Sequence, residues 1–412
     1  MNFSEQDDPH PFASRRRRLL QGMALASLAA ALPARAQSQQ ASQPGPQSGS
    51  CVNTSDWQAF AARHIQVDGR VVDFDTPQQQ STSEGQSYGL FFSLVHNDRN
   101  TFNRVLQWTH KNLAGGDMAK RLPAWQWGRN NEGGWGVLDD NSASDSDVWI
   151  AYTLIEAARL WKEPSYQRLG RTMMAMVARD EVIKLDGLGQ MLMPWPRSVA
   201  RGPNWRLNPS YVPIQLLRRF HEEDPSGPWN EIIQNAMRMF GAVTPQGYAP
   251  DWCAWSSDSK SFVADPQKGA VGSYDAIRVY LWAGMLHPQD PTRSLLLKSL
   301  YGPRRAIEAQ TMVPEYVDTA TGAPRGTGGV GFAGALLPYL KAQGLGNLAE
   351  VQLTRIRNRM GDGKTGSVLP LPYYERMLIL FGLGWYEGRY AFSKTGQLQT
   401  SWRLLCPSDR PA

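Results

Sequence analysis

The 412-residue sequence predicts a single all-α domain built as a toroid of paired helices. Three observations carry this reading. Apolar residues recur at helical spacing through most of the chain, with few alternating, strand-like runs. The helices come in twos with a short link inside each pair, and long Trp-rich loops precede several first members. No shift in composition marks an internal domain boundary. An α-solenoid is the competing architecture, but no repeat of fixed period is present.

The first 36 residues read as an export signal. Arg15 to Arg18 form the basic segment, Leu19 to Leu32 the apolar one, and Ala34-Arg35-Ala36 an A-x-A cleavage signal. Arg16-Arg17-Arg18-Leu19-Leu20-Gln21 also resembles a twin-arginine export motif. The apolar run is too short for a transmembrane span. The mature chain is therefore expected to be periplasmic or secreted after cleavage near Ala36, with no membrane span. Residues 37–50, rich in Gln, Ser and Pro, read as a flexible linker, and 51–406 as the folded domain.

Within that domain helices are predicted near 55–66, 85–97, 100–113, 144–161, 164–180, 208–222, 227–240, 273–287, 291–301, 329–343, 346–360 and 371–385. Gly/Pro-rich segments at 114–136, 186–207, 243–270 and 312–328 separate them. Polar residues collect at the starts of first members: Glu84, Asp145, Asn208 with Tyr211, Asp275, and Tyr373 with Tyr374. A toroid carries these ends to one face, where they line a cleft.

Composition narrows the chemistry. The chain is 42% hydrophobic and 19% charged, with fifteen Trp and fourteen Tyr. Such an aromatic excess suits both a large core and a groove that stacks flat ligands or sugar rings. Residues 1–36 hold five Arg and three acidic residues, so without them the formal charge falls from +6 to +4. No Lys/Arg cluster interleaved with aromatics follows the leader, so nucleic acid is not an expected partner. The three cysteines show no CxxC or His/Cys metal spacing. Cys51 and Cys406 stand at opposite ends of the domain and either clip the termini as a disulfide or remain thiols. Cys253 is expected to be buried. Phosphate loops, dinucleotide fingerprints, GxSxG elbows and zinc-spaced histidines are all missing from the sequence.

What remains is carboxylates in aromatic surroundings. Hydrolysis of a sugar bond needs one carboxyl to protonate the leaving oxygen and another to activate water or attack directly. The acid needs a raised pKa, which apolar neighbours supply. Glu84, with Tyr88 one turn on, suits the acid, although a first-turn carboxylate also compensates a helix dipole. Asp275 suits the base, because Arg278 lies three residues later on the same helical face. A surface salt bridge is the alternative for that pair, but Ser273-Tyr274 before it and Val279-Tyr280-Leu281-Trp282 after it mark a buried helix. Asp145 and Asp147, two residues apart, do not share a helix face. Asp145 is expected in the cleft and Asp147 in a structural role.

These segments resemble glycoside hydrolase family 8. Ala143 to Trp161 (ASDSDVWIAYTLIEAARLW) is similar to the family signature and departs from it at Ser146 and Thr153, neither of which removes a carboxylate. Ser83 to Gly89 (SEGQSYG) is similar to the acid motif, and Ser273 to Trp282 (SYDAIRVYLW) to the base motif. The resemblance covers roughly residues 51–390. It implies an (α/α)6 barrel, a β-1,4-glucan (cellulose) substrate, an inverting mechanism and no metal or organic cofactor. It also implies that Glu84 is the acid, Asp275 the base, and Asp145 a ligand of the distorted sugar at the scissile bond. Arg278 is then expected to position Asp275, and Tyr211 and one of Tyr373 or Tyr374 to contact sugar. Tyr88 and Tyr274 flank these groups, and Trp127, Trp135 and Trp205 are expected stacking platforms. Inversion requires the two carboxyls to stand roughly 6.5–9.5 Å apart. The likeness extends to enzymes encoded beside bacterial cellulose synthase, which implies a functional association with that synthase. Chitosan, xylan or mixed-linkage glucan as substrate, and a non-catalytic glucan-binding subunit, are the alternatives. A polycationic chitosan would want a groove rich in acids, which the long loops are not.

Overall fold

Five stretches of this sequence are predominantly apolar on every face, and a helix of that kind must be buried all round. The computed structural model describes residues 55–196, 203–360 and 371–402, and the export signal, linker, Cys51 and Cys406 lie outside them. In chain order the helices are α1 (Ser55–His64), α2 (Ser83–Val95), α3 (Arg99–Asn112), α4 (Ser144–Trp161), α5 (Pro164–Asp180), α6 (Ile214–Glu223), α7 (Trp229–Val243), α8 (Ala276–Met285), α9 (Arg293–Ser299), α10 (Gly302–Gln310), α11 (Val330–Ala342), α12 (Gly346–Met360) and α13 (Tyr373–Tyr386).

The five all-round apolar helices, α2, α4, α8, α11 and α13, together with the amphipathic α6, form the inner ring, each packing on the next. The ring closes where Phe381 of α13 meets Tyr88 and Phe91 of α2, with ring centroids 4.9 and 5.5 Å apart. Outside them, α3, α5, α7, α9, α12 and α1 pack on α2, α4, α6, α8, α11 and α13 respectively. The fold is an (α/α)6 barrel. Phe381, Trp149 and Trp282 fill its axis, with centroids 5.1 to 5.4 Å apart.

One seam of the ring is tighter than the rest. Pro338 lies inside α11 and has no N–H to offer the carbonyl of Gly334 four residues back. Gly382 of α13 packs against that same carbonyl, and a Cβ there would come within 1.8 Å of its oxygen. Away from the functional residues, a C-terminal hairpin (Tyr390–Phe392 with Leu398–Thr400) covers the barrel. Phe392 and Tyr390 insert against Phe91. Tyr152 donates to the Gly396 carbonyl at 2.8 Å, and buried Glu156 accepts from the Leu398 N–H at 2.7 Å.

Twelve helices follow the sequence pattern, with three departures. The segment 208–222 is broken: Pro209 and Pro213 reduce its start to a 3-10 turn at Pro209–Tyr211 before α6 begins. Helix α8 starts at Ala276, three residues late. Helix α10 is an addition, with Pro303 in its first turn. The loops also carry short antiparallel strands of two to five residues, too short for alternation to register. Cys253 is a buried free thiol whose pKa burial pushes up.

Candidate active site

Three small sheets stand just upstream of the residues singled out by sequence. Ser81–Thr82 leads into α2, Asn204–Leu207 into the 3-10 turn, and Val271–Gly272 into α8. Thr82 caps α2, its hydroxyl accepting the Gly85 N–H at 3.0 Å. Glu84 is therefore not needed as a cap, and its carboxylate is directed at Arg278, 3.2 Å from Nη1.

Arg278 organises the site. It is 2% exposed, so it is not a surface pair. Its Nη2 donates to Asp275 Oδ1 at 2.7 Å and to Ser210 Oγ at 3.0 Å. Its Nη1 also donates to the Tyr374 hydroxyl at 3.2 Å, and that hydroxyl donates to the Tyr274 carbonyl at 2.7 Å. A buried cation is tolerable when its donors are filled in this way. Ser210 is itself held by Asn208, whose Oδ1 accepts the Ser210 N–H at 3.0 Å and Oγ at 2.7 Å.

Asp145 opens α4 beside Glu84, 4% exposed. Its Oδ1 accepts the Ser146 N–H at 2.7 Å, and it lies close enough to Glu84 to feel its charge. Burial, then the Glu84 charge, push its pKa up to about 7 against the pull of Arg278. Asp147 faces elsewhere. It is fully buried and lies beside Glu181, which accepts from Ser142 at 2.6 Å. Burial, then the Glu181 charge, raise Asp147, and burial raises Glu181 to about 8 against the pull of Ser142 and Asp147.

The aromatic residues divide by position. Tyr211 stands 5.9 Å from the Arg278 guanidinium. Tyr373 is buried, its hydroxyl unpartnered among the described residues and pressed against Gly85, where a Cβ would lie 2.7 Å from it. Tyr274 donates to the Glu315 carboxylate. Tyr88 lies in the barrel core, edge-on to Trp149 and Phe381. Trp127 is wedged between Trp108 and Trp135, both 5.4 Å away, with the Arg70 guanidinium 4.3 Å from its ring. Trp135, stacked on it, is 48% exposed. Trp205 donates to Ser257 at 3.0 Å.

A second aromatic run includes Trp252, which sequence reading missed. Trp252 lies 6.1 Å from Tyr211 and stacks on Trp195 at 5.7 Å. Arg206, ion-paired with buried Asp265 at 2.7 Å, lies over both indoles. Asp251 was also missed. It accepts three backbone N–H groups at the start of α8. The Trp pair was visible as Trp195 and Trp252 in long loops, but loop sequence does not say which rings meet.

A helical barrel whose mouth gathers three carboxyl groups around one buried guanidinium, flanked by aromatic planes, has the make-up of a carboxylate-dependent carbohydrate hydrolase. The profile of glycosyl hydrolases family 8 matches residues 35–388. An endoglucanase of Xanthomonas axonopodis pv. citri (strain 306) is 50% identical over 388 residues, 94% of this chain and 97% of that protein. The crystal structure of an endo-1,4-D-glucanase from Vibrio fischeri ES114 shares 42% identity and a TM-score of 0.77, covering 85% of this chain and 100% of that one. An endo-β-1,4-glucanase from Acetobacter xylinum shares the fold at a TM-score of 0.63 and 24% identity, over 80% of this chain and 95% of that one. This chain belongs to glycosyl hydrolases family 8 and is a glycoside hydrolase.

Proposed function

We propose that this protein is an endo-β-1,4-glucanase that cleaves internal bonds of cellulose with inversion. The observation that carries the reading is the shared guanidinium: one nitrogen of Arg278 meets Glu84 and the other meets Asp275. Two carboxyls held on opposite arms of one rigid fork suit a reaction that needs a proton donor and a proton acceptor on either side of a sugar bond. Glu84 gives its proton to the glycosidic oxygen as the bond to C1 breaks. Asp275 takes a proton from water, and the water oxygen forms the new bond to C1 from the opposite face. Asp145 holds the sugar ring at the cleavage point, with Tyr211 and Tyr374 beside it.

The β-1,4-glucan assignment is supported by the relatives' names, endoglucanase at 50% identity and endo-1,4-D-glucanase at 42%. The proposed setting is the periplasm or the cell exterior, after removal of residues 1–36, with a role in trimming the product of a cellulose synthase. No helix among the described residues is long and apolar enough to cross a membrane.

Reducing-end release from carboxymethylcellulose by residues 37–412, beside Glu84→Gln and with chitosan and xylan in parallel, tests this. Activity on the cellulose derivative that disappears in the variant is the expected result. Full activity in Glu84→Gln would remove the acid assignment, and a folded protein inert on every polymer would favour a glucan-binding subunit. NMR of the first-formed anomer tests inversion.

A further inference from the structure

Asp275 occupies the cap position of α8, yet its side chain makes no capping bond; the carboxylate is turned to Arg278 instead. The open N–H groups at this helix start are satisfied from another loop. Oδ1 of Asp251 accepts the backbone N–H of Ser273 at 2.8 Å, of Asp275 at 3.0 Å and of Ala276 at 2.7 Å. A capping side chain is normally supplied by the helix's own first residue. Here the duty has passed to a residue 24 positions upstream, and the Asp275 carboxylate pairs with Arg278.

The loop that carries Asp251 is itself pinned. The Asp251 N–H donates to the Val271 carbonyl at 2.7 Å. Gly272 packs so closely on Ala249 that a Cβ would lie 2.3 Å from its carbonyl oxygen. From the other side, the Ser273 hydroxyl donates to the Glu315 carbonyl at 2.7 Å. The peptide bearing Asp275 is thus gripped on both flanks.

We propose that Asp251 is a positioning residue for Asp275: by taking three N–H groups on one oxygen it fixes the peptide from which the base reaches the attacking water. The inference rests on the reading of Asp275 as that base. The groups facing Asp251 are Asp275 and Tyr280 from α8 and its approach, and Tyr316 from the neighbouring strand, itself flanked by Glu315 and Arg325. Burial, then the Asp275 charge, raise the Asp251 carboxyl to about 7 against the pull of its three N–H partners.

The test uses the full mature chain with Asp251→Ala, Asp251→Asn and, as control, Asp275→Asn, assayed for kcat, KM and thermal stability on carboxymethylcellulose. Misplacing a reacting group by about 1 Å costs about 100-fold in rate. Asp251→Ala is expected to lose that much kcat per folded molecule with KM unchanged. Asp251→Asn keeps an acceptor oxygen and should recover most of the rate. An unchanged kcat in folded Asp251→Ala overturns the proposal. Should that variant not fold, Asp251→Ser, too short to hold all three N–H groups, decides: a loss of kcat with KM unchanged supports the proposal and an unchanged kcat overturns it. A fully active Asp275→Asn would instead sink the base assignment itself.

Discussion

Arg278 reaches back one turn to Asp275, and the 2.7 Å bond between them is made with only 2% of the arginine exposed. The pair is buried but not isolated, because the same guanidinium also meets Glu84, Tyr374 and Ser210. Arg278→Lys keeps the charge but loses the planar fork. It should fold and lose about 100-fold or more in kcat, since a point charge cannot hold both carboxyls in place. A lysine variant with near-parental kcat would show that charge alone suffices.

Asp145→Asn removes an ionisable group whose pKa lies near 7 while preserving its shape. Its proposed task is to hold the sugar, not to move a proton. Its kcat on carboxymethylcellulose should therefore fall by less than that of Glu84→Gln measured in the same assay. The reverse order would transfer the acid role toward Asp145.

The Asp147–Glu181 pair makes folding depend on pH. Both carboxyls hold their protons more tightly folded than unfolded. The folded state then binds more protons than the unfolded one, and stability falls as pH rises. The contribution is complete below the ordinary Asp value of 3.8 and is lost as pH rises through about 8. The melting temperature should decline across that window. Asp147→Asn, which donates an N–H to an ionised Glu181, should flatten the decline, and an unaltered slope would exclude the pair as its source.

Gly382→Ala places a methyl group on the Gly334 carbonyl, a contact of 1.8 Å that only separation of α11 and α13 can relieve. Overpacking typically costs about 1–3 kcal/mol, and backbone gives way less readily than side chains. The loss should reach the upper end of that range or exceed it in denaturant titration. A loss under about 1 kcal/mol would mean the seam is compliant.

Trp135, the exposed member of its stack, should act in binding more than in chemistry. Trp135→Ala is expected to raise KM on long glucans several-fold, with kcat little changed. Trp127→Ala should instead lower stability, because Trp127 is wedged among Trp108, Trp135 and Arg70. Thermal melts of both variants separate the two roles.

Much of this molecule was legible in sequence because its helices announce themselves by period and its site residues sit at helix starts. Glu84, Asp145, Asp275 and Arg278 fall together for that reason. Asp251 was illegible because its bonds span 22 to 25 residues and join a loop to a cap, which no local pattern encodes. The 3-10 turn at Pro209–Tyr211 was hidden by helical spacing that continues through two prolines. Tyr88, expected beside Glu84, is buried in the core yet lies close enough to feel the charges of Glu84, Arg278 and Asp145.

The C-terminal hairpin has a topological consequence. With Phe392 and Tyr390 seated against Phe91, and Tyr152 and Glu156 bonded to the hairpin backbone, the barrel is a socket and not a tube. A polymer cannot be threaded through it. Any chain that reaches the carboxylates must come from the mouth, because Phe381, Trp149 and Trp282 fill the axis.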